Sequence, residues 1–290
     1  MQKKLLIIAL MAAFVGVGCV KELKSNQGLM QKITGLKTPE SVVQAKDGRI
    51  FVSEIGGFGK DGDGQISVIE NGLARMFAQG LDDPKGLKII GDYLYVADKT
   101  KIIKISLADG KASVFAAASA FPATPQFLND LEADPQGNLY VSDSGDILGT
   151  GKGGAIYKLD AAGKVTLLID GKQDARVMAP NGLLADDTSN ILIFVDFTSG
   201  VLYSFNQQTK ALTDIAEGFG GGDGVVHHSN GTMYVSDWKS GKVFSLSTKG
   251  ELSELKSGYQ SAADIATTKN EKYLMVPDMK AGELDFISLK

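Results

Sequence analysis

The chain has 290 residues, 43% hydrophobic and 22% charged, with a formal net charge of −4. That balance belongs to a globular protein able to bury a substantial core; it excludes a disordered or coiled-coil chain, and without a basic footprint nucleic acid is not an expected partner. The 35 glycines point to many tight turns joining short strands.

The first element is a leader. Lys3 and Lys4 form a positive start, Leu5 to Val17 is an apolar run, and Gly18 and Cys19 follow. The run is short for a permanent membrane span and suits a signal peptide over residues 1–18. It resembles a bacterial lipoprotein signal, although Gly16 stands where that motif has Leu. The resemblance implies lipidation at Cys19, a polar tether over residues 19–28, and an exported envelope protein, periplasmic or on the outer membrane, anchored to the membrane by lipid. Plain secretion is the alternative. With a single cysteine, the exported domain must fold without an internal disulfide.

Beyond residue 28 the chain repeats. GRIFVSEIG, DYLYVADKT, GNLYVSDSG, NILIFVDFT, GTMYVSDWK and KYLMVPDMK begin at 48, 92, 137, 190, 231 and 272, giving intervals of 44, 45, 53, 41 and 41 residues. Each is a turn, an alternating apolar strand and a final acid: Glu54, Asp98, Asp143, Asp196, Asp237 and Asp278. A short strand precedes each and two follow, so each unit has four, called a to d from the axis outward. That period and strand count predict an all-β, six-bladed β-propeller over residues 29–290. The sixth unit stops after its third strand, ELDFISLK, and residues near 29–36 are expected to supply the missing outer strand and close the ring.

GKDGDGQISVIE, Gly59 to Glu70, has the acidic spacing of an EF-hand loop but Gly59 in place of the first ligand. Strands flank it on both sides where an EF-hand needs helices. The run is expected to be a turn between strands b and c. The acids that end the b strands are expected to be structural, accepting hydrogen bonds from nearby backbone turns.

The chemistry is expected at the start of each innermost strand. Aligned on strand b, that position is Glu40, Lys85, Asn129, Asn181, Asp223 and Asp264, each 13 to 15 residues before the acid. The alignment predicts six polar groups at one level round the axis. Carboxylates and amide oxygens are hard ligands, and Glu40, Asn181 and Asp223 could supply three oxygens to one divalent ion, Ca2+ first, with Mn2+, Mg2+ or Zn2+ as alternatives. A solvated polar channel without function is the competing reading.

Glu40 in PES, Asn129 in FLND, Asn181 in APNGL and Asp223 in GDG together resemble the senescence marker protein (regucalcin)/gluconolactonase family. The resemblance implies a six-bladed propeller that holds one divalent ion on its axis and hydrolyses lactones, with Glu40, Asn181 and Asp223 as metal ligands and Asn129 in contact with substrate. The animal members carry a sugar-binding arginine two positions before the Asn129 equivalent, and here that position is Phe127. This points to a less polar substrate. Lys85 either pairs with Glu40 or Asp264 and weakens metal binding, or binds an anionic group of the substrate. In the mechanism this implies, the ion polarises an ester carbonyl and Asp223 or Asp264 acts as general base.

The expected enzyme is a monomeric, metal-dependent hydrolase of a small lactone or ester. The alternative is a non-catalytic envelope lipoprotein whose propeller binds a protein or glycan. The long b to c loops, Gly56 to Gly64 and Ser144 to Gly154, are expected over the entrance. His227 and His228, the only histidines, are expected away from it, and Trp238 is expected to pack between blades.

Overall fold

The computed structural model describes residues 30–289. The expected signal peptide over residues 1–18, Cys19 and the whole expected tether over residues 19–28 lie outside the described residues. Six four-stranded antiparallel sheets are arranged as successive blades. Blade 1 illustrates the plan, with strands Pro39–Gln44, Ile50–Glu54, Gly64–Glu70 and Leu73–Leu81 joined in order from the inside outward. Blades 2 to 5 repeat it. Their innermost strands are Pro84–Ile90, Leu128–Ala133, Pro180–Ala185 and Gly222–His227.

Blade 6 is composite. Its order from outside to inside is Ile33–Thr34, Glu283–Ser288, Tyr273–Asp278 and Ala266–Thr267, so the start of the described chain supplies strand d. Ile33 lies opposite Leu284 and Thr34 opposite Glu283, and Lys32 reaches Glu283 at 2.7 Å. Ile33 is buried where an edge strand would otherwise be exposed.

The apolar core is divided among the blade interfaces. Tyr95, Ile102 and Phe121 meet Leu131, Val141 and Tyr157 between blades 2 and 3; Tyr140 and Ile156 meet Phe194, Tyr203 and Phe205 between blades 3 and 4. The near-continuous apolar runs of the b strands produce this, because both faces of an inner strand look onto a neighbouring blade.

Two local devices fix the inner ends of the blades. In every blade but the fifth the acid ending strand b accepts hydrogen bonds from the backbone of the turn that enters strand a, whereas Asp237 in blade 5 accepts the Ser240 amide of the turn that follows it. Asp98 takes the Asp82 and Asp83 amides, Asp196 the Met178 and Ala179 amides, and Asp278 the Gln260 and Ser261 amides. The second device is a register shift at the start of strand a in blades 1 to 5. One extra residue there bulges the strand and redirects its side chains. A serine in strand b caps the bulge in alternate blades: Ser53, Ser142 and Ser236 accept from the amides of Ser41, Asp130 and Gly224.

The strands approach closely at this level. A Cβ built on Gly182 would stand 2.3 Å from the Asp223 carbonyl oxygen, and one on Gly224 would stand 2.5 Å from the Ile265 amide nitrogen. Only glycine fits between backbones at such distances.

Asp196 accepts four backbone amides in all, from Met178, Ala179, Thr198 and Ser199. Asp196→Ala is therefore expected to cost at least about 3 kcal/mol, because each orphaned buried donor costs roughly 1–3 kcal/mol. Urea unfolding followed by far-UV circular dichroism measures the loss, and a cost below about 1 kcal/mol would contradict the clamp. Replacing Ile33 by Lys should destabilise the ring by roughly 2 kcal/mol through loss of a buried apolar side chain, measured as a lower unfolding midpoint.

Candidate functional site

The bulge sets which residue faces the axis. In blades 1 to 5 the residue immediately after the pairing partner of the b-strand acid is Glu40, Lys85, Asn129, Asn181 and Asp223. All five are at most 3% exposed and all five line one cavity of about 250 Å³. Sequence spacing thus finds five members of the ring.

The sixth member is different. Ala262 pairs with Asp278, so the ring position in blade 6 is Ala263, packed with Ile55 and Met279. Asp264 is one residue further along and corresponds to Ser41, Asp130 and Gly224. It lines a separate, smaller space of about 80 Å³ with Asp130, Glu132 and Lys88. Its carboxylate accepts the Ser41 hydroxyl at 2.5 Å, and burial pushes it up to about 7. The expectation that Asp264 shares one level with the other five is corrected here: its 14-residue spacing to Asp278 fits the pattern, but one residue along a strand turns a side chain to a different surface.

Within the cavity the oxygen donors are held by their other atoms. The Asn181 amide nitrogen donates to Asp223 Oδ1 at 3.1 Å. That of Asn129 donates to Ser144 Oγ at 3.0 Å, and Ser144 donates to the Pro180 carbonyl at 2.8 Å. Both amides therefore spend their nitrogens on the protein. Asn129 Oδ1, Asn181 Oδ1 and Glu40 Oε2 are buried without a hydrogen-bond partner. Buried acceptors left unpaired are costly, and several converging on one space fit a cation.

The donor chemistry fits a hard ion. Two carboxylates and two amide oxygens converge, with no nitrogen or sulfur donor among them; among the described residues no group of three His, Cys, Asp or Glu side chains is placed to hold a metal ion, so the amide oxygens are a necessary part of the donor set. Burial, followed by the Asp223 and Asp264 charges, pushes Glu40 well up, and burial with the Asp264 charge does the same to Asp223. A nearby cation would reverse that cost.

Lys85 is 1% exposed. Its ammonium donates to the Asp83 carbonyl at 3.0 Å and stands 4.1 Å from the centre of the Phe127 ring. Burial pulls its pKa down while the Glu40 charge opposes the shift. The contact that Lys85 makes in the cavity is thus aromatic and carbonyl in kind.

Above the donors the wall is apolar. Ile55, Phe197, Trp238 and Met279 line it, each following directly after a b-strand acid. Phe58 comes from the Gly56 to Gly64 loop, and Ile147 and Leu148 from the Ser144 to Gly154 loop. Sequence reasoning missed these residues, and their fixed place after the acid was the available signal. Trp238 is accordingly a cavity residue that also touches the Ile55, Ala263 and Met279 cluster, with its indole nitrogen 3.3 Å from Met279 Sδ.

The calcium-like loop is a turn between strands whose acids pair with lysines, although Asp63 Oδ1 is buried without a hydrogen-bond partner. Asp61 pairs with Lys99 at 2.5 Å and Asp63 with Lys60 at 3.1 Å, and strands lie on both sides of it. His227 ends strand a of blade 5 and His228 follows in the a to b turn, its Nε2 3.2 Å from the Glu271 carbonyl. Neither lines the cavity.

A six-bladed propeller with a buried ring of oxygen donors at the mouth of its axis is the class that fold and site define. Residues 86–267 match the model of the SMP-30/gluconolactonase/LRE-like region, and the chain belongs to that family. The matched span contains Asn129, Asn181 and Asp223, while Glu40 and Lys85 lie before it. Comparison with curated proteins gave no significant match.

Ser144→Ala is expected to free the Asn129 amide and leave the Pro180 carbonyl unpaired, costing about 1–2 kcal/mol. Equilibrium urea unfolding checks this, and an unchanged midpoint would show that Ser144 does not hold Asn129.

Proposed function

We propose that the protein is a metal-dependent hydrolase that opens a small lactone or related ester. Glu40, Asn181 and Asp223 would hold one divalent ion, Ca2+ or a similar hard cation, with Asn129 beside it. The observation that carries this reading is the set of three buried, unpartnered oxygens, Glu40 Oε2, Asn129 Oδ1 and Asn181 Oδ1, facing one cavity. Family membership supports it. When bound, such an ion supplies carbonyl polarisation and a more acidic water.

The chain's own groups account for the remaining steps. Asn181 orients Asp223 through its amide, and Ser144 does the same for Asn129. Asp223 serves as the general base, because Asp264 does not line this cavity. Water's oxygen bonds to the carbonyl carbon as Asp223 takes its proton. The ring C–O bond then breaks, and that proton passes to the departing oxygen. The apolar wall keeps bulk water from the reacting atoms. The leader supports a lipid-anchored envelope location through Cys19.

The test is thermal melting and metal analysis of the full chain in detergent, beside Asp223→Asn. Wild type is expected to retain about one ion and to gain roughly 5 °C at a hundredfold excess of Ca2+ over the dissociation constant, while the variant gains nothing. Equal indifference of both to Ca2+ and Mn2+ would remove the metal site and favour a non-catalytic binding propeller.

A further inference from the structure

The donor ring faces a wall that could not serve a sugar. Its side chains above the ring are aromatic or aliphatic: Phe58, Phe127, Leu148, Phe197, Trp238 and Met279. The only other polar side chains lining the cavity are lysines, and each ammonium is placed over an aromatic ring. Lys85 stands 4.1 Å from the centre of Phe127 and Lys239 4.3 Å from that of Phe197. Just outside the lining, Lys280 stands 4.0 Å from Trp238. Among the described residues, no serine, threonine, glutamine or arginine side chain lines the space.

A sugar lactone brings several hydroxyls that must exchange water for protein partners. Here the wall above the donor ring offers only the two lysine ammoniums, and hydroxyls buried against it without partners select against the ligand. An aryl or alkyl lactone asks for the opposite. It needs one polar end at the oxygen donors and an apolar body against the wall, which is the division the cavity has. The volume of about 250 Å³ fits a single small fused or substituted ring. Phe58 and Leu148 extend the apolar surface to the rim, where they are 49% and 81% exposed.

We infer that the substrate is an apolar lactone or ester, with an aryl or short alkyl body seated among Phe127, Phe197 and Trp238, and that sugar lactones are rejected. This deepens the hydrolase reading and rests on it. Trp238 is the only tryptophan in the chain, so its fluorescence reports ligand entry directly.

The experiment titrates the full chain in detergent, with and without Ca2+, with 3,4-dihydroquinolin-2-one, an aryl lactam that resists hydrolysis, and with D-glucono-1,5-lactam. In parallel, hydrolysis of dihydrocoumarin and D-glucono-1,5-lactone is followed in a pH-stat. The aryl lactam is expected to change Trp238 emission saturably, the sugar lactam to bind at least tenfold more weakly, and dihydrocoumarin to be the faster substrate. Phe127→Gln should weaken the aryl lactam about tenfold. Leu148→Ser, at an exposed position that does not threaten folding, should weaken it a few-fold.

Equal or tighter binding of the sugar lactam, or aryl binding unchanged in both variants, would overturn the inference. Opening of the sugar lactone without aryl binding would overturn it while leaving the hydrolase reading intact. Saturable aryl binding with neither lactone opened would instead sink the hydrolase reading and leave an apolar binding site.

Discussion

The contact on which the site depends is the one between the b-strand acid and the turn entering strand a, made in every blade but the fifth. Such a turn brings backbone amides inward with no strand partner, and an acid from the neighbouring strand is the nearest group able to accept two at once. Once the turn is pinned, the first residues of strand a have one place to go. The bulge then decides which of them faces the axis. Clamp and bulge together convert a repeated sequence into converging side chains.

That construction separates scaffold from chemistry. Asp98, Asp196 and Asp278 do the same structural work in different blades, so their sameness carries no functional information. The ring residues can differ because clamp and bulge place their backbone, while local bonds such as Asn181 to Asp223 and Asn129 to Ser144 orient the side chains. One blade can therefore present a carboxylate, another an amide, another an ammonium. The residue after the acid is equally free: in blades 1, 4, 5 and 6 it supplies the apolar wall, while blades 2 and 3 place Lys99 and Ser144 there.

Much of this was legible in the sequence. The strand pattern and acids at 54, 98, 143, 196, 237 and 278 are periodic, and periodicity survives without knowledge of contacts. Composite blade 6 was legible too, because a missing strand at one end matched a surplus one at the other. Asp264 was misplaced because spacing counts residues, while the axis selects by side-chain direction, and Ala263 carries no chemical signal. Trp238 packs between blades as expected, against Phe197 and the Ile55, Ala263 and Met279 cluster, but its place in the cavity wall was not legible, because a position beside a structural acid looks structural until the loops above it are known. Ser144 could not be found at all, since its role is to hold the amide of Asn129 from another strand.

The composite blade has a consequence for how the ring is divided among exons, fragments or designs. Ile33 lies opposite Leu284, so Gln31 falls near residue 286 and the described chain ends about 10 Å beyond it, at roughly 3.3 Å per residue. A short link could span that distance. The opening in the covalent circle could then be moved to an exposed turn such as that between Asn206 and Leu212, because every blade would keep its four strands. The fold thus has a topological seam but no privileged first blade.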